Sequence, residues 1–363
     1  MRNEGSSLES RAVKQCANHD CEGAISILET AFAQQPCNAE LSHQIGVCYS
    51  GVCRRHSQVS LRLAIAYFER ALDLIGIHGP GEIRAKYLDS LGNAHWADGE
   101  PAAAVPLLEE AARIYQQLGL PEDWARTEYN LGNACCEAAA TGVPSMWNEA
   151  VGHYSNALRV RTAKADPIHY AATAQNLGTA FRELSGGDHL ANLRKAISLY
   201  VAAFGIYAGV HMPAKCADLH NNLGNLYLGL PNPPSAPCKN IHRALRHYAR
   251  ALALRSKTNR PRDYAVTQLN RGHGFLLLAA CDSSGDVQPA AMCFREALNS
   301  FLLCGDMSHA KIARQRLDAL EILTRGLGGL DETEPASPPI ASPALLKPQS
   351  QAPPNRTPDR HRN

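Results

Sequence analysis

The chain has 363 residues, of which 45% are hydrophobic, 6% aromatic and 19% charged, and its 36 Lys and Arg against 34 Asp and Glu give a formal net charge of +2. A balance this close to neutral raises no field that would point to a nucleic acid or an anionic membrane surface as partner. The opening MRNEGSSLESRAVKQC lacks an apolar leader region and no run approaches the roughly 18–20 apolar residues of a membrane helix, so the expected compartment is the cytoplasm.

Along the chain a glycine-centred phrase recurs. It is faint at Gly46, then reads SLGNAHW around Gly92, NLGNACC around Gly132, NLGTAFR around Gly178 and NLGNLYL around Gly224, and fades again at Gly272. An alanine stands seven residues before each of these glycines (Ala39, Ala85, Ala125, Ala171, Ala217, Ala265), and an aromatic residue often three after (Tyr49, Phe181, Tyr227, Phe275). That register is helical, with glycine inside the helix at an intrinsic cost of roughly 0.8–1 kcal/mol relative to alanine, which close backbone packing usually offsets.

Between the glycines lies a second marker: two alanines seven apart with a large apolar residue between them. It reads Ala64/Phe68/Ala71, Ala150/Tyr154/Ala157, Ala196/Tyr200/Ala203, Ala244/Tyr248/Ala251 and Ala290/Phe294/Ala297. Two turns of helix put all three on one stripe, where the small residues admit a neighbouring helix and the ring fills the remaining gap. The spacing predicts two helices per unit, and a phrase repeated at near-constant intervals predicts a stack of such units.

Glycine in the first helix and paired alanines in the second resemble the tetratricopeptide repeat. Gly23, Ala24, Ile25, Ala31 and Pro36 match the second helix and terminating proline of its usual form, while the intervals 46→92→132→178→224→272 are mostly longer than the usual 34 residues. With linkers such as LPEDWARTEYNLGNA, ADPIHYAATAQNLGTA and NRPRDYAVTQLN, the longer form is similar to the repeats of kinesin light chains and to bacterial arrays that accompany caspase-like protease domains. The resemblance implies an all-α fold: a right-handed superhelical solenoid of about seven antiparallel helix pairs over residues 1–327, closed by a capping helix. The stretch AKIARQRLDALEILTRG has the period and one-sided polarity of that cap. Residues 328–363 form the expected disordered tail, since Asp331–Asn363 holds eight prolines in 33 residues and no aromatic.

No catalytic constellation emerges. The sequence has no HExxH, no phosphate-binding glycine loop and no nucleophile elbow, and no Cys/His group has the spacing of a structural zinc site, so neither enzyme activity, a cofactor nor a metal is expected. The twelve cysteines include no CxxC and read as reduced thiols serving as small apolar residues.

Asparagine is the distinctive polar feature. Members stand two before and one after the repeat glycine at Asn130/Asn133 and Asn222/Asn225, singly at Asn93, Asn176 and Asn270, with Asn221 one step aside. In tetratricopeptide solenoids the first helices line the concave groove, so the resemblance implies an amide ladder there, each carboxamide matching the donor and acceptor of a peptide bond. The alternative is that these amides bond neighbouring helices. Arg126 and Arg182 are candidates to meet a carboxylate, and Tyr129 and Trp96 to supply apolar anchors.

The expected function is therefore a non-enzymatic scaffold that binds a peptide or partner protein, with neither nucleic acid nor membrane as partner. The alternative is a sensor or regulatory subunit of a separately encoded effector such as a caspase-like protease. A clamp for the C-terminal tail of a chaperone is not expected, because the places three residues before the glycines hold His43, Asp89, Tyr129, Gln175, Asn221 and Leu269 rather than lysine or arginine.

Overall fold

The computed structural model describes residues 21–52, 58–184 and 186–327, and among these every regular element is a helix. The expectation of a disordered tail over 328–363 lies outside the described residues. The chain divides at Ala165 and Asp166 into two compact units.

The first unit holds α1 (Cys21–Gln34), α2 (Ala39–Val52), α3 (Gln58–Ile75), α4 (Gly81–Ala97), α5 (Pro101–Leu118), α6 (Pro121–Ala140) and α7 (Met146–Ala157). Three antiparallel pairs, α2–α3, α4–α5 and α6–α7, follow α1, and each pair packs on the next. The second unit holds α8 (Pro167–Glu183), α9 (His189–Gly209), α10 (Pro213–Gly229), α11 (Lys239–Leu254), α12 (Pro261–Cys281), α13 (Gln288–Leu303) and α14 (Met307–Leu327). Its pairs are α8–α9, α10–α11 and α12–α13, and α14 packs on α13 as the capping helix the sequence predicts.

Helix starts follow from local chemistry. Pro121, Pro167, Pro213 and Pro261 open α6, α8, α10 and α12, where the missing N–H has no helical partner to lose and φ is preset. Asp188 caps α9 by accepting from the Ala191 N–H at 3.0 Å. Gly119 ends α5 with a φ of 68°, a left-handed conformation that glycine adopts without strain.

The two sequence markers meet within each pair. A Cβ placed on Gly132 would stand 2.5 Å from the Tyr154 ring, on Gly178 2.7 Å from Tyr200, on Gly272 2.5 Å from Phe294 and on Gly46 2.6 Å from Phe68, while Gly224 meets Tyr248 in the same way. In the shorter interval Gly92 faces Leu108, at 2.7 Å. These rings and the flanking alanines are almost wholly buried. The glycine inside each first helix is thus the space into which the central side chain of the second helix fits.

The thiols depart in part from expectation. Cys135, Cys216 and Cys293 are free and buried and Cys48 is buried, as small apolar residues should be, but Cys238, just before α11, and Cys281, at the end of α12, form a disulfide. Sequence offered no sign of it, because 43 residues separate the two and only the packing of α12 beside α11 brings them together.

Candidate functional site

The first helices of successive pairs are joined by polar side chains. In the first unit Glu40 on α2 accepts from Lys86 at 3.3 Å and from the Tyr87 hydroxyl at 2.9 Å on α4, and His43 meets Ser90 at 2.9 Å. Asp89 on α4 in turn accepts from the Thr127 hydroxyl of α6 at 3.0 Å and lies 3.5 Å from Arg126. Arg126 also pairs with Asp123. Burial opposes its charge, but Asp89 and Asp123 outweigh that and raise its pKa. Within the unit its two terminal nitrogens thus face Asp123 and Asp89.

Tyr129 is likewise enclosed, with the Arg161 guanidinium 4.8 Å from its ring centre and the Tyr154 ring at 5.9 Å. Trp96 is 4% exposed, too little for an apolar anchor. Asn93 is half-buried. Of the other asparagines in this unit, Asn133 accepts from the Tyr154 hydroxyl at 2.7 Å, whereas Asn130, buried two residues before the glycine, has an Nδ2 with no hydrogen-bond partner among the described residues.

The second unit repeats the division. Asn225 accepts from the Tyr248 hydroxyl at 2.7 Å, and Asn221 on α10 accepts from Asn270 on α12 at 3.3 Å. Asn176 is buried on α8. Asn222 is 2% exposed, and its Oδ1 has no partner. Two glutamines that the sequence pattern passed over share that condition: Gln175 on α8 and Gln268 on α12, each buried with an unpartnered Oε1. Arg182 donates through Nε and Nη2 to Glu183, both at 2.9 Å, leaving Nη1 without a partner. Its burial disfavours the charge, yet Tyr200 and Glu183 raise its pKa overall.

The asparagines are therefore not one set. Those one residue after the glycine, Asn133 and Asn225, hold the hydroxyl of their own pair's tyrosine. Thr179 stands at that place in the third such pair and meets the Tyr200 hydroxyl at 2.9 Å, while the pairs built on Phe68 and Phe294 have Val47 and His273 there. Each of the three tyrosines finds a hydrogen-bonding side chain at that place, which assigns Asn133 and Asn225 to the interior, although a polar residue there does not require a tyrosine, since His273 and Asn93 stand in the pairs of Phe294 and Leu108. Asn221 and Asn270 join adjacent first helices. One carboxamide atom stays unmet on each of α8, α10 and α12 in the second unit, as do Gln44 Oε1 on α2 and Asn130 Nδ2 on α6 in the first.

A buried polar atom without a partner costs about 1–3 kcal/mol, so three on the first helices of successive pairs amount to a standing demand for hydrogen bonds. Among the described residues no group of three or more His, Cys, Asp or Glu side chains could hold a metal, and no helix is long and apolar enough to cross a membrane.

Residues 51–117 match the family model of the tetratricopeptide repeat. No curated protein matches the chain significantly. Among solved structures the chain is similar to the signal-transduction ATPase with numerous domains and a tetratricopeptide repeat sensor from Pyrococcus horikoshii, at 12% identity over 86% of this chain and 44% of that one with a TM-score of 0.63. It is also similar to the apo form of RapI, at 13% identity over 85% and 82% with a TM-score of 0.55. At such identities these likenesses concern the fold alone, and they agree with the helix pairs described above.

Proposed function

From a tetratricopeptide-repeat protein with this layer of first helices, we propose a non-enzymatic interaction scaffold that takes an extended segment of a partner protein along α8, α10 and α12. The observation that supports it is the run of unmet carboxamide atoms on Gln175, Asn222 and Gln268. A peptide backbone offers a donor and an acceptor at every residue, so an inserted strand of any sequence supplies what these atoms lack. Arg182, with Nη1 unengaged, is placed to add a carboxylate or carbonyl contact. Because the amide atoms are shut off from solvent, binding requires the side chains above them to part, so ordering and opening accompany capture.

The test replaces two of these groups by apolar residues of similar size, Gln175→Met and Asn222→Leu. Removing an unmet buried polar atom leaves the free protein as stable or more stable. The same pair of changes should abolish retention of the partner in a pull-down from native extract followed by mass spectrometry. A folded variant that keeps the same partners at the same yield would overturn the proposal.

A further inference from the structure

Two second helices of the second unit, α9 and α11, lack any carboxylate, and α11 carries the longer row of cations. The second helices α3, α5, α7 and α13 each carry a carboxylate, but α11, KNIHRALRHYARALAL, carries none. Its Lys239, Arg243, Arg246 and Arg250 follow one another at intervals of four, three and four residues, which places them on one stripe of the helix. The stripe extends roughly 16 Å. Lys239, Arg246 and Arg250 are exposed and Arg243 half-buried. None of the four joins an ion pair among the described residues. Arg243 is braced from below, its guanidinium 5.6 Å from the Tyr227 ring centre and one nitrogen 3.4 Å from Asn240 Oδ1. Asp282, after α12, lies near enough to His242 to feel its charge. The adjoining helix pattern continues the theme, since α9 also lacks a carboxylate and sets Arg194 and Lys195 where α11 has His242 and Arg243.

The interior registers the same field. His220 and His247 face each other with Nδ1 atoms 3.0 Å apart. Both are held down to about 4, by burial first, with His220 acting on His247, Arg250 acting on both and Arg246 on His247.

We infer that the outer face of α11 is a docking surface for an acidic segment of a partner protein, its carboxylates received by the guanidinium forks of Arg243, Arg246 and Arg250 and by Lys239. Three guanidinium groups on one stripe suit carboxylates, which they grip two oxygens at a time. Nucleic acid fits less well, since the aromatic ring at the stripe, Tyr227, lies beneath Arg243 and offers no face for a base to stack on. A membrane fits less well too, because the exposed residues between Lys239 and Arg250 besides the cations are His242 and Ala249, and the large apolar side chain exposed on this helix, Leu254, stands by itself at its C-terminal end. The surface is separate from the first-helix amides and stands whether or not they bind a peptide.

Fluorescence anisotropy with the full chain tests this, using a labelled peptide of about twelve residues that alternates Glu and Ala, long enough to follow the stripe. The Glu peptide should bind and be released as salt rises to about 0.5 M, where screening shortens to a few ångströms. Arg246→Gln with Arg250→Gln should weaken it on the order of tenfold or more. The control pair Arg113→Gln with Arg159→Gln removes two cations of the first unit and should change nothing, as should Gln175→Met with Asn222→Leu. Absence of binding, equal binding of a Gln-for-Glu peptide, an equal effect of the control pair, or tighter binding of oligothymidylate or of phosphatidylserine vesicles would each overturn the assignment.

Discussion

Replacing Gly132 by alanine sets two opposed effects against each other. Alanine favours a helix over glycine by about 0.8–1 kcal/mol, so propensity alone predicts a gain. The new methyl, however, would stand 2.5, 2.6 and 2.8 Å from three carbons of the Tyr154 ring, where ordinary carbon contacts lie at about 3.5–4.0 Å. The ring must retreat by about 1 Å. It is wholly buried and its hydroxyl is held by Asn133 at 2.7 Å, so retreat strains the packing at about 1–3 kcal/mol and the hydrogen bond at about 0.5–1.5 kcal/mol. After the helix gain, Gly132→Ala should destabilise the first unit by about 1–3 kcal/mol. Gly152, on α7 of the same unit, has open space where a Cβ would go, and Gly152→Ala should stabilise by about 0.8–1 kcal/mol. Urea unfolding followed by far-UV circular dichroism measures both, and Tyr154→Ala in the Gly132→Ala background should recover part of the packing penalty as a coupling energy. If Gly132→Ala stabilises as much as Gly152→Ala, the close approach of ring to glycine does not hold these pairs together.

Two further outcomes follow from buried charge. Asp218 accepts from Arg255 at 2.6 Å and Arg260 at 3.1 Å, and Arg255, 5% exposed, also donates to the Asp263 carbonyl at 3.1 Å and to Thr267. Asp218→Ala leaves that guanidinium buried beside no carboxylate and should cost about 3–5 kcal/mol in the unfolding of the second unit, against no loss if the network contributes nothing. For His220 and His247 the folded values near 4 lie below the ordinary 6.5, so as pH falls the unfolded chain takes up protons first. Stability is complete above about 6.5 and should be lost progressively as pH falls toward about 4; His220→Asn with His247→Asn should flatten thermal melts across that window. His273, held near 4 by burial and then by Arg316, keeps a residual slope in the variant, and a wild-type melting temperature constant over the window would refute the reasoning.

The helix pairs were legible because sterics dictates residue identity there: only glycine admits the ring, and only alanine admits the neighbouring backbone, so both recur at fixed places. The asparagines were legible as positions but not as roles. A carboxamide bonds whatever faces it, and what faces Asn133 or Asn225 is a hydroxyl from another helix, that of Tyr154 or Tyr248. Gln175 and Gln268 escaped because they lie three and four residues before their glycines, off the Asn positions. Arg126 and Tyr129 read as groove residues from their register, but their register says nothing of Asp89 and Arg161, which reach them from α4 and from the segment after α7.

The fit between a glycine and the central side chain of the next helix is closed within each pair, whereas hydrogen bonds such as those of Glu40 with Tyr87 or Asn221 with Asn270 run from one first helix to another. Steric identity and neighbour recognition therefore reside on separate surfaces of the same helix. A chain of this kind can gain or lose a whole interval and keep every glycine opposite its partner, with only the inter-pair contacts left to be re-matched. A break at a fraction of an interval would instead leave one ring without its recess. Growth by duplication of complete pairs is thus permitted by the geometry, and the intervals of 46 residues between Gly132, Gly178 and Gly224 have the regularity such growth would leave.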